Sequence, residues 1–125
     1  VNGIKIYNDT TSTTPDATIA ALRALGEKRS IILIMGGADK GLDTAALMAE
    51  IPLHTKAAVY LAGTGTEKLG IAGHDTLASA LGQAFRQSIP GDIILFSPGF
   101  ASFGMFVNEF DRGYQFDELV RELPA

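Results

Sequence analysis

Short apolar runs alternate with amphipathic stretches along the chain. The apolar runs predict four strands, at residues 4–7, 30–35, 57–62 and 93–96. The second run contains almost no polar residue, which is typical of a strand buried on both faces. Between the runs, apolar residues recur at helical spacing, so that helices are expected to connect the strands.

Residues typical of helix ends divide the connecting stretches. Thr14 is predicted to cap a helix that has Pro15 in its first turn and ends at Gly26. Other predicted helical segments are residues 42–50 (closed before Pro52), one turn at residues 66–69, a helix capped by Asp75, and a helix from Phe103 onward that Gly113 breaks or bends.

Strands separated by helices predict an α/β fold, a doubly wound, mostly parallel sheet flanked by helices in the Rossmann-like manner. Right-handed crossovers place the carboxyl ends of all the strands at one edge of such a sheet. Ligands of doubly wound sheets bind at that edge.

Composition limits the possible functions. The 125 residues suffice for one domain, and 46% hydrophobic with 19% charged residues predict a packed core. A net charge of −4 without a basic cluster argues against nucleic acid as a partner. The chain has no cysteine and its two histidines are isolated, which excludes disulfides, thiolate chemistry and a histidine-rich metal site.

No apolar run is long enough to cross a bilayer, so no membrane association is expected. The sequence begins Val-Asn-Gly without a methionine. We therefore expect a fragment of a longer protein.

Three of the predicted strand ends are rich in hydroxyls and glycine. They are residues 8–14, 36–41 and 97–103, which together offer hydroxyl groups, the ammonium group of Lys40 and free backbone N–H groups. This combination suits an anion with one or two carboxylates or phosphates. Each segment alone also fits an ordinary capping loop or turn, and Ser102 also fits the N-cap of the last helix.

Other features carry less information. Residues 63–65 (Gly-Thr-Gly) match half of a dinucleotide-binding motif, and Lys40 has the wrong spacing for a P-loop. The third strand is not followed by an acid, which excludes a phospho-acceptor receiver domain. The pair Asp111-Arg112 is interpreted as a solvated helix face or a local ion pair. Four phenylalanines are predicted core residues, the first two of which also suit a wall of the site: Phe100, Phe103, Phe106 and Phe110.

Three ordered motifs resemble one protein family. Residues 7–18 (Tyr-Asn-Asp-Thr-Thr-Ser-Thr-Thr-Pro-Asp-Ala-Thr) resemble the Asn-Asp-Ser-Lys-Ala-Thr-Asn segment of the D-glutamate-adding Mur ligases. Residues 35–41 (Met-Gly-Gly-Ala-Asp-Lys-Gly) are similar to their Gly-Gly-x-x-Lys loop. Residues 97–106, followed by 110–116, resemble their Ser-Pro-x-x-x-Ser…Phe…Arg-Gly-x-x-Phe block. The resemblance covers essentially residues 1–125 and corresponds to the C-terminal domain of a three-domain ligase.

The resemblance implies an ATP-dependent amide-bond ligase of peptidoglycan synthesis in the cytoplasm. The D-glutamate-adding Mur ligases phosphorylate the carboxylate of UDP-N-acetylmuramoyl-L-alanine, and the amine of D-glutamate attacks the acyl phosphate. An N-terminal and a central domain of the same chain are implied as partners. The central domain is expected to bind most of the ATP and the Mg²⁺.

The resemblance also assigns roles to individual residues. It implies that Lys40 and Thr13 hold the side-chain carboxylate of D-glutamate. Ser102 and the N–H group of Phe103 are implied to hold the α-carboxylate at a helix N-terminus. Asp9 is implied to reach the ATP ribose. No catalytic residue and no metal ligand are expected in this domain.

Two positions depart from the family pattern. Thr11 stands where the family has a lysine, and Glu109-Phe110 replaces Phe-Glu. The alternative function is a stand-alone Rossmann-like module that binds a small anion or a nucleotide without catalysis. An upstream P-loop domain would distinguish the ligase from this alternative.

Overall fold

The computed structural model describes residues 2–124, which form a four-stranded sheet with helices on both faces. In chain order the elements are β1 (Lys5–Asn8), α1 (Pro15–Leu25), β2 (Ile31–Met35), α2 (Ala45–His54), β3 (Thr55–Tyr60), α3 (Thr64–Lys68), α4 (Leu77–Gln87), β4 (Ile93–Phe96) and α5 (Glu109–Arg121).

The strands lie in the order β1-β4-β2-β3, and every pair in this sheet is parallel. The central strand β2 is buried along its whole length, in agreement with its unbroken apolar sequence. The predicted doubly wound α/β fold is confirmed. Because all the strands run in the same direction, their carboxyl ends share one edge.

Each face of the sheet carries its own apolar core. On one face Ile34 packs in a cluster with Leu81 of α4 and Phe116 of α5. On the other face Leu33 packs in a cluster with Leu22 of α1 and further residues of α2. Alternate residues of β2 thus anchor helices on opposite sides, and the sheet edge is left for the loops.

The start of α1 is confirmed as predicted. The Thr14 hydroxyl accepts a hydrogen bond from the N–H of Ala17 at 3.3 Å, and Pro15 is the first helical residue. Gly26 ends the helix and donates its N–H to the carbonyl of Leu22 at 2.8 Å.

The predicted end of α2 before Pro52 is wrong. The helix continues through Pro52 to His54. Ile51 is buried in the core, and the hydroxyl of Thr55 donates to the Ile51 carbonyl at 2.8 Å. These contacts hold the last turn in place although proline lacks the N–H group that a helix uses.

Predicted helix starts are wrong as well: the helix predicted from Leu42 starts at Ala45. Thr76, not Asp75, caps α4 and accepts a hydrogen bond from the N–H of Ser79 at 3.1 Å. The last helix starts at Glu109, with Asn108 as its N-cap, and not at Phe103. It continues through Gly113 to Arg121, so the predicted break at Gly113 is also wrong. Among the described residues no helix has the length and apolar character needed to cross a membrane.

Candidate functional site

Four loops follow the carboxyl ends of the strands. We call them the first loop (residues 9–14), the second loop (residues 36–44), the third loop (residues 61–63) and the fourth loop (residues 97–108). Three of them contain the segments in which the sequence predicted an anion site. Their contacts with one another decide whether those segments form one site.

The first and fourth loops are hydrogen-bonded to each other. The Ser97 hydroxyl donates to Oδ2 of Asp9 at 2.8 Å, and the Gly99 N–H donates to the carbonyl of Ser12 at 2.8 Å. The Ser12 hydroxyl also donates to Oδ2 of Asp9. The carboxylate of Asp9 therefore fixes the two loops together.

The second and fourth loops form a short antiparallel bridge. Ala38 and Ala101 exchange two backbone hydrogen bonds, at 3.0 and 3.2 Å. Gly37 has a φ of +149°, and a Cβ at this position would lie 2.6 Å from the carbonyl oxygen of Ala101. The second glycine of the Gly-Gly pair is therefore required for the close approach of the two loops.

The third loop packs against the second. A Cβ on Gly63 would lie 2.4 Å from the carbonyl oxygen of Gly37, and the N–H of Gly65 donates to the same oxygen at 2.9 Å. The Thr64 hydroxyl accepts a hydrogen bond from the N–H of Asp39 at 2.9 Å. The Gly-Thr-Gly segment, a weak dinucleotide motif in the sequence, thus supports the site by close packing.

Two concave regions lie side by side at this edge. The larger is a cavity of about 360 Å³ lined by the second, third and fourth loops together with Glu67 and Arg112. The smaller is a narrow cleft between the first, second and fourth loops. Ala38 lines both, so that the bridge between the second and fourth loops separates them.

Thr13 and Lys40 both line the narrow cleft, although they lie on different loops. Lys40 forms no ion pair within residues 2–124, and its side chain therefore has its charge free for a ligand. The cleft itself is too narrow to admit a water molecule, so a carboxylate bound by a hydroxyl and an ammonium group would lie at its mouth. The family resemblance implied that these two residues act together, and their shared role stays a prediction.

Ser102 and Phe103 line the larger cavity and not the cleft. Ser102 is nearly buried, whereas the ring of Phe103 is 58% exposed. The predicted core position of Phe103 is wrong, and so is that of Phe110, which is 70% exposed on α5; Phe100 and Phe106 are buried as predicted. Phe103 does form part of the cavity wall.

The expectation that Ser102 and the N–H group of Phe103 lie at a helix N-terminus is wrong. The N–H of Phe106 donates to the carbonyl of Ser102 at 3.0 Å and closes a single turn. Gly104 then takes a φ of +99°, which a helix does not continue. The cap of α5 is Asn108, whose side chain accepts a hydrogen bond from the N–H of Asp111.

Asp39 is an acidic group at the rim of the cleft, beside Lys40. The Gly41 N–H donates to its Oδ1 at 2.9 Å, and Lys68 lies 3.4 Å from its Oδ2. The hydrogen bond from Gly41, and next to it Lys68, hold the pKa of Asp39 below its usual value. Asp39 is therefore ionised at neutral pH, and Lys68 offsets its charge.

The sequence did not predict the position of Arg112. This side chain is 1% exposed and borders the larger cavity, so its interpretation as part of a solvated helix face or a local ion pair is wrong. Its guanidinium donates to the carbonyl and hydroxyl of Thr10 and to the carbonyl of Phe100. The one indication in the sequence was the Arg-Gly pair of the third motif.

Burial lowers the pKa of Arg112 to about 10, and the nearby charge of Glu109 acts in the opposite direction. The guanidinium is still protonated at pH 7. Within residues 2–124 no group of three or more histidine, cysteine, aspartate or glutamate side chains is arranged to hold a metal ion. The charges that border the larger cavity are those of Arg112 and Glu67.

Comparisons with known proteins agree with the three motifs. The family described as "Mur ligase, glutamate ligase domain" matches residues 1–100. A UDP-N-acetylmuramoylalanine–D-glutamate ligase of Borreliella afzelii (strain PKo) is 44% identical over 96% of this chain and 29% of its own length. Ligases of the same name from Roseiflexus sp. (strain RS-1) and Treponema pallidum (strain Nichols) are 43% and 41% identical, over 96% and 95% of the chain. The chain spans less than a third of the length of these relatives.

Proposed function

Since the chain belongs to the Mur ligase family through its glutamate ligase domain, we propose that it binds D-glutamate for an ATP-dependent ligase. The reaction joins D-glutamate to UDP-N-acetylmuramoyl-L-alanine through an amide bond in peptidoglycan synthesis. The names of the similar ligases support this substrate. The observation that carries the proposal is the shared cleft of Thr13 and Lys40 beside the cavity that contains Ser102.

The side-chain carboxylate of D-glutamate is bound at the mouth of the cleft. The ammonium group of Lys40 supplies the positive charge and the hydroxyl of Thr13 a second donor. A charge-assisted hydrogen bond of this kind stabilises a complex by about 1.5–3 kcal/mol. Lys40 therefore acts in binding, and the reaction does not need it as a base.

The α-carboxylate is bound on the other side of the Ala38–Ala101 bridge. Ser102 lines the cavity there, and its hydroxyl and the Phe103 N–H are the proposed donors. Two carboxylates held at separate points fix the orientation of the molecule between them. The amine is thereby held against the activated carboxylate, and such positioning contributes several kcal/mol to catalysis, up to about 7–11 in favourable cases.

ATP and Mg²⁺ are proposed cofactors of the whole enzyme. Bound MgATP supplies the phosphoryl group that activates the carboxylate of UDP-N-acetylmuramoyl-L-alanine. By the resemblance to the three-domain ligases, the Mg²⁺ and the phosphates are assigned mainly to a central domain of a longer chain. In this assignment residues 1–125 form the C-terminal domain, and the central and N-terminal domains are its partners.

Asp9 is the proposed contact to the ATP ribose. Its Oδ2 already accepts hydrogen bonds from Ser12 and Ser97. Within residues 2–124 its Oδ1 accepts none of the observed hydrogen bonds, and this oxygen is the proposed acceptor for a ribose hydroxyl. A cytoplasmic location is proposed, because ATP and the nucleotide-linked substrate are made in that compartment.

The variant Lys40→Ala tests the role of the cleft in the full-length enzyme. We expect the KM for D-glutamate to rise by a factor of about 10–100, because one charge-assisted hydrogen bond is lost. The KM for ATP is expected to change by less than about two-fold, since no group of the nucleotide is assigned to Lys40. Steady-state kinetics with each substrate varied in turn measures both values.

Lys28→Ala is the matched control. Lys28 is an exposed lysine just before β2, at the opposite edge of the sheet, and its removal is expected to change neither KM. Equal increases in both KM values for Lys40→Ala would argue against the proposed contact. A full-length wild-type protein that binds anions or nucleotides but forms no amide bond would favour the stand-alone binding module.

A further inference from the structure

Arg112 is a buried cation without an anionic partner. It is 1% exposed, and among residues 2–124 no carboxylate forms an ion pair with it. Removing an unpaired charge from water costs free energy, so this placement needs compensating contacts. The contacts that it makes are all to oxygen atoms of two loops of the candidate site.

The guanidinium connects the first loop to the fourth. Its Nε donates to the Thr10 hydroxyl at 3.0 Å and its Nη2 to the Thr10 carbonyl at 2.6 Å. Its Nη1 donates to the carbonyl of Phe100 at 3.0 Å. Because a guanidinium is planar and rigid, three bonds from one such group fix the distance between Thr10 and Phe100.

The helix that carries Arg112 is itself held against the first loop. The Thr10 hydroxyl donates to the carbonyl of Glu109 at 2.8 Å, and Nδ2 of Asn8 donates to the carbonyl of Gly113 at 2.9 Å. The bonded positions are close in sequence to the proposed substrate contacts: Thr13 follows Thr10 on the first loop, and Ser102 follows Phe100 on the fourth. A change at Arg112 would therefore move both ends of the proposed site.

We propose, on the basis of the proposed function, that Arg112 is a positioning residue that sets the separation of the two carboxylate contacts. This separation selects the chain length of the acidic amino acid that binds. D-Glutamate and D-aspartate carry the same charges and differ by one methylene group. A site with two fixed carboxylate contacts discriminates between them by the distance that it spans.

The test uses Arg112→Lys in the full-length enzyme. Lysine keeps the charge but lacks the planar fork, so that it does not hold the two loops at a fixed distance. We expect the KM for D-glutamate to rise about 10-fold with the KM for ATP nearly unchanged, as for the loss of more than one hydrogen bond. The preference in kcat/KM for D-glutamate over D-aspartate is expected to fall at least about five-fold.

Thr10→Val provides a second variant, which removes the hydroxyl that accepts from Nε of Arg112 and donates to the carbonyl of Glu109. The KM for D-glutamate and the preference over D-aspartate are expected to change in the same direction as in Arg112→Lys, but by less, because the Thr10 carbonyl still accepts from Nη2 of Arg112. The effects of the two substitutions are expected to be less than additive, since both act on one contact. The matched control is Arg121→Lys, an exposed arginine of α5 paired with Glu118, which should leave kinetics and preference unchanged.

Hydrogen–deuterium exchange gives a readout that does not depend on D-glutamate. In Arg112→Lys, amide exchange is expected to accelerate in both the first and the fourth loop. A variant with a lower melting temperature but an unchanged D-glutamate to D-aspartate preference would overturn the positioning role and leave the proposed function intact. A wild-type enzyme that does not use D-glutamate would overturn the proposed function itself.

Discussion

At the scale of single residues, Gly113 decides how closely α5 approaches the first loop. A Cβ at this position would lie 2.4 Å from Cγ2 of Thr10, well inside contact distance. We expect Gly113→Ala to lower the free energy of unfolding by about 1–3 kcal/mol through overpacking. Urea denaturation of the purified chain measures the change.

The control is Gly82→Ala in the middle of α4. The nearest atom to a Cβ there is Nη1 of Arg86 at 3.3 Å, at the end of a flexible side chain. Since alanine is the better helix former, this substitution is expected to stabilise the protein by up to about 1 kcal/mol. If Gly113→Ala also stabilised the protein, the close packing of α5 on the first loop would be contradicted.

The sequence identified the residues of the candidate site that follow strand ends, but it missed Arg112, which lies within a helix. Thr13, Lys40 and Ser102 follow strand ends, and the geometry of a parallel sheet brings strand ends together. Arg112 lies within a helix beside an aspartate, where nothing in the local pattern distinguishes a buried arginine from a solvated one. Its burial depends on Thr10, which is distant in the sequence.

At the scale of elements, local capping chemistry predicted some helix ends but not all. The hydroxyl of Thr14 followed by proline defines the start of α1, because the cap needs only neighbouring residues. Apolar residues after Phe103 continue at a spacing that resembles a helix, yet Gly104 interrupts the backbone. The end of α2 at His54 depends on core packing of Ile51, which local sequence does not reveal.

Helices α1 and α2 are joined by a charged contact that predicts a pH dependence. Nε of Arg23 donates to Oε1 of Glu50 at 2.9 Å, and Nε2 of His54 lies 2.8 Å from its Oε2. The Arg23 hydrogen bond, followed by that of His54, lowers the pKa of Glu50 below its usual 4.5. The unfolded chain therefore takes up this proton at higher pH than the folded one.

It follows that the stabilisation from Glu50 is complete above about pH 4.5 and is lost as the pH falls through the lowered pKa. In Glu50→Gln the melting temperature is expected to fall less steeply between about pH 5 and pH 3 than in the wild type. Calorimetry across this range measures the slope. Glu27→Gln, at an exposed turn, is the control. If the melting temperature of Glu50→Gln fell with pH as steeply as that of the wild type, the contact of Glu50 with Arg23 and His54 would be contradicted.

At the scale of the whole molecule, the sequence predicted the architecture but not the order of the strands. The unbroken apolar run of β2 and the helical stretches between the runs determine a doubly wound sheet. The order β1-β4-β2-β3 depends on how each crossover packs on the sheet, for which the sequence contains no local pattern. The convergence of the loops follows from parallel strands alone, whatever their order.

The converging loops are proposed to bind one dicarboxylic amino acid at two points. A crystal structure of the full-length enzyme with bound D-glutamate measures this directly. We predict one carboxylate between Nζ of Lys40 and Oγ1 of Thr13, and the other at Oγ of Ser102 and the N–H of Phe103. D-Glutamate bound away from the cleft and the adjoining cavity would contradict the binding of its two carboxylates by these loops.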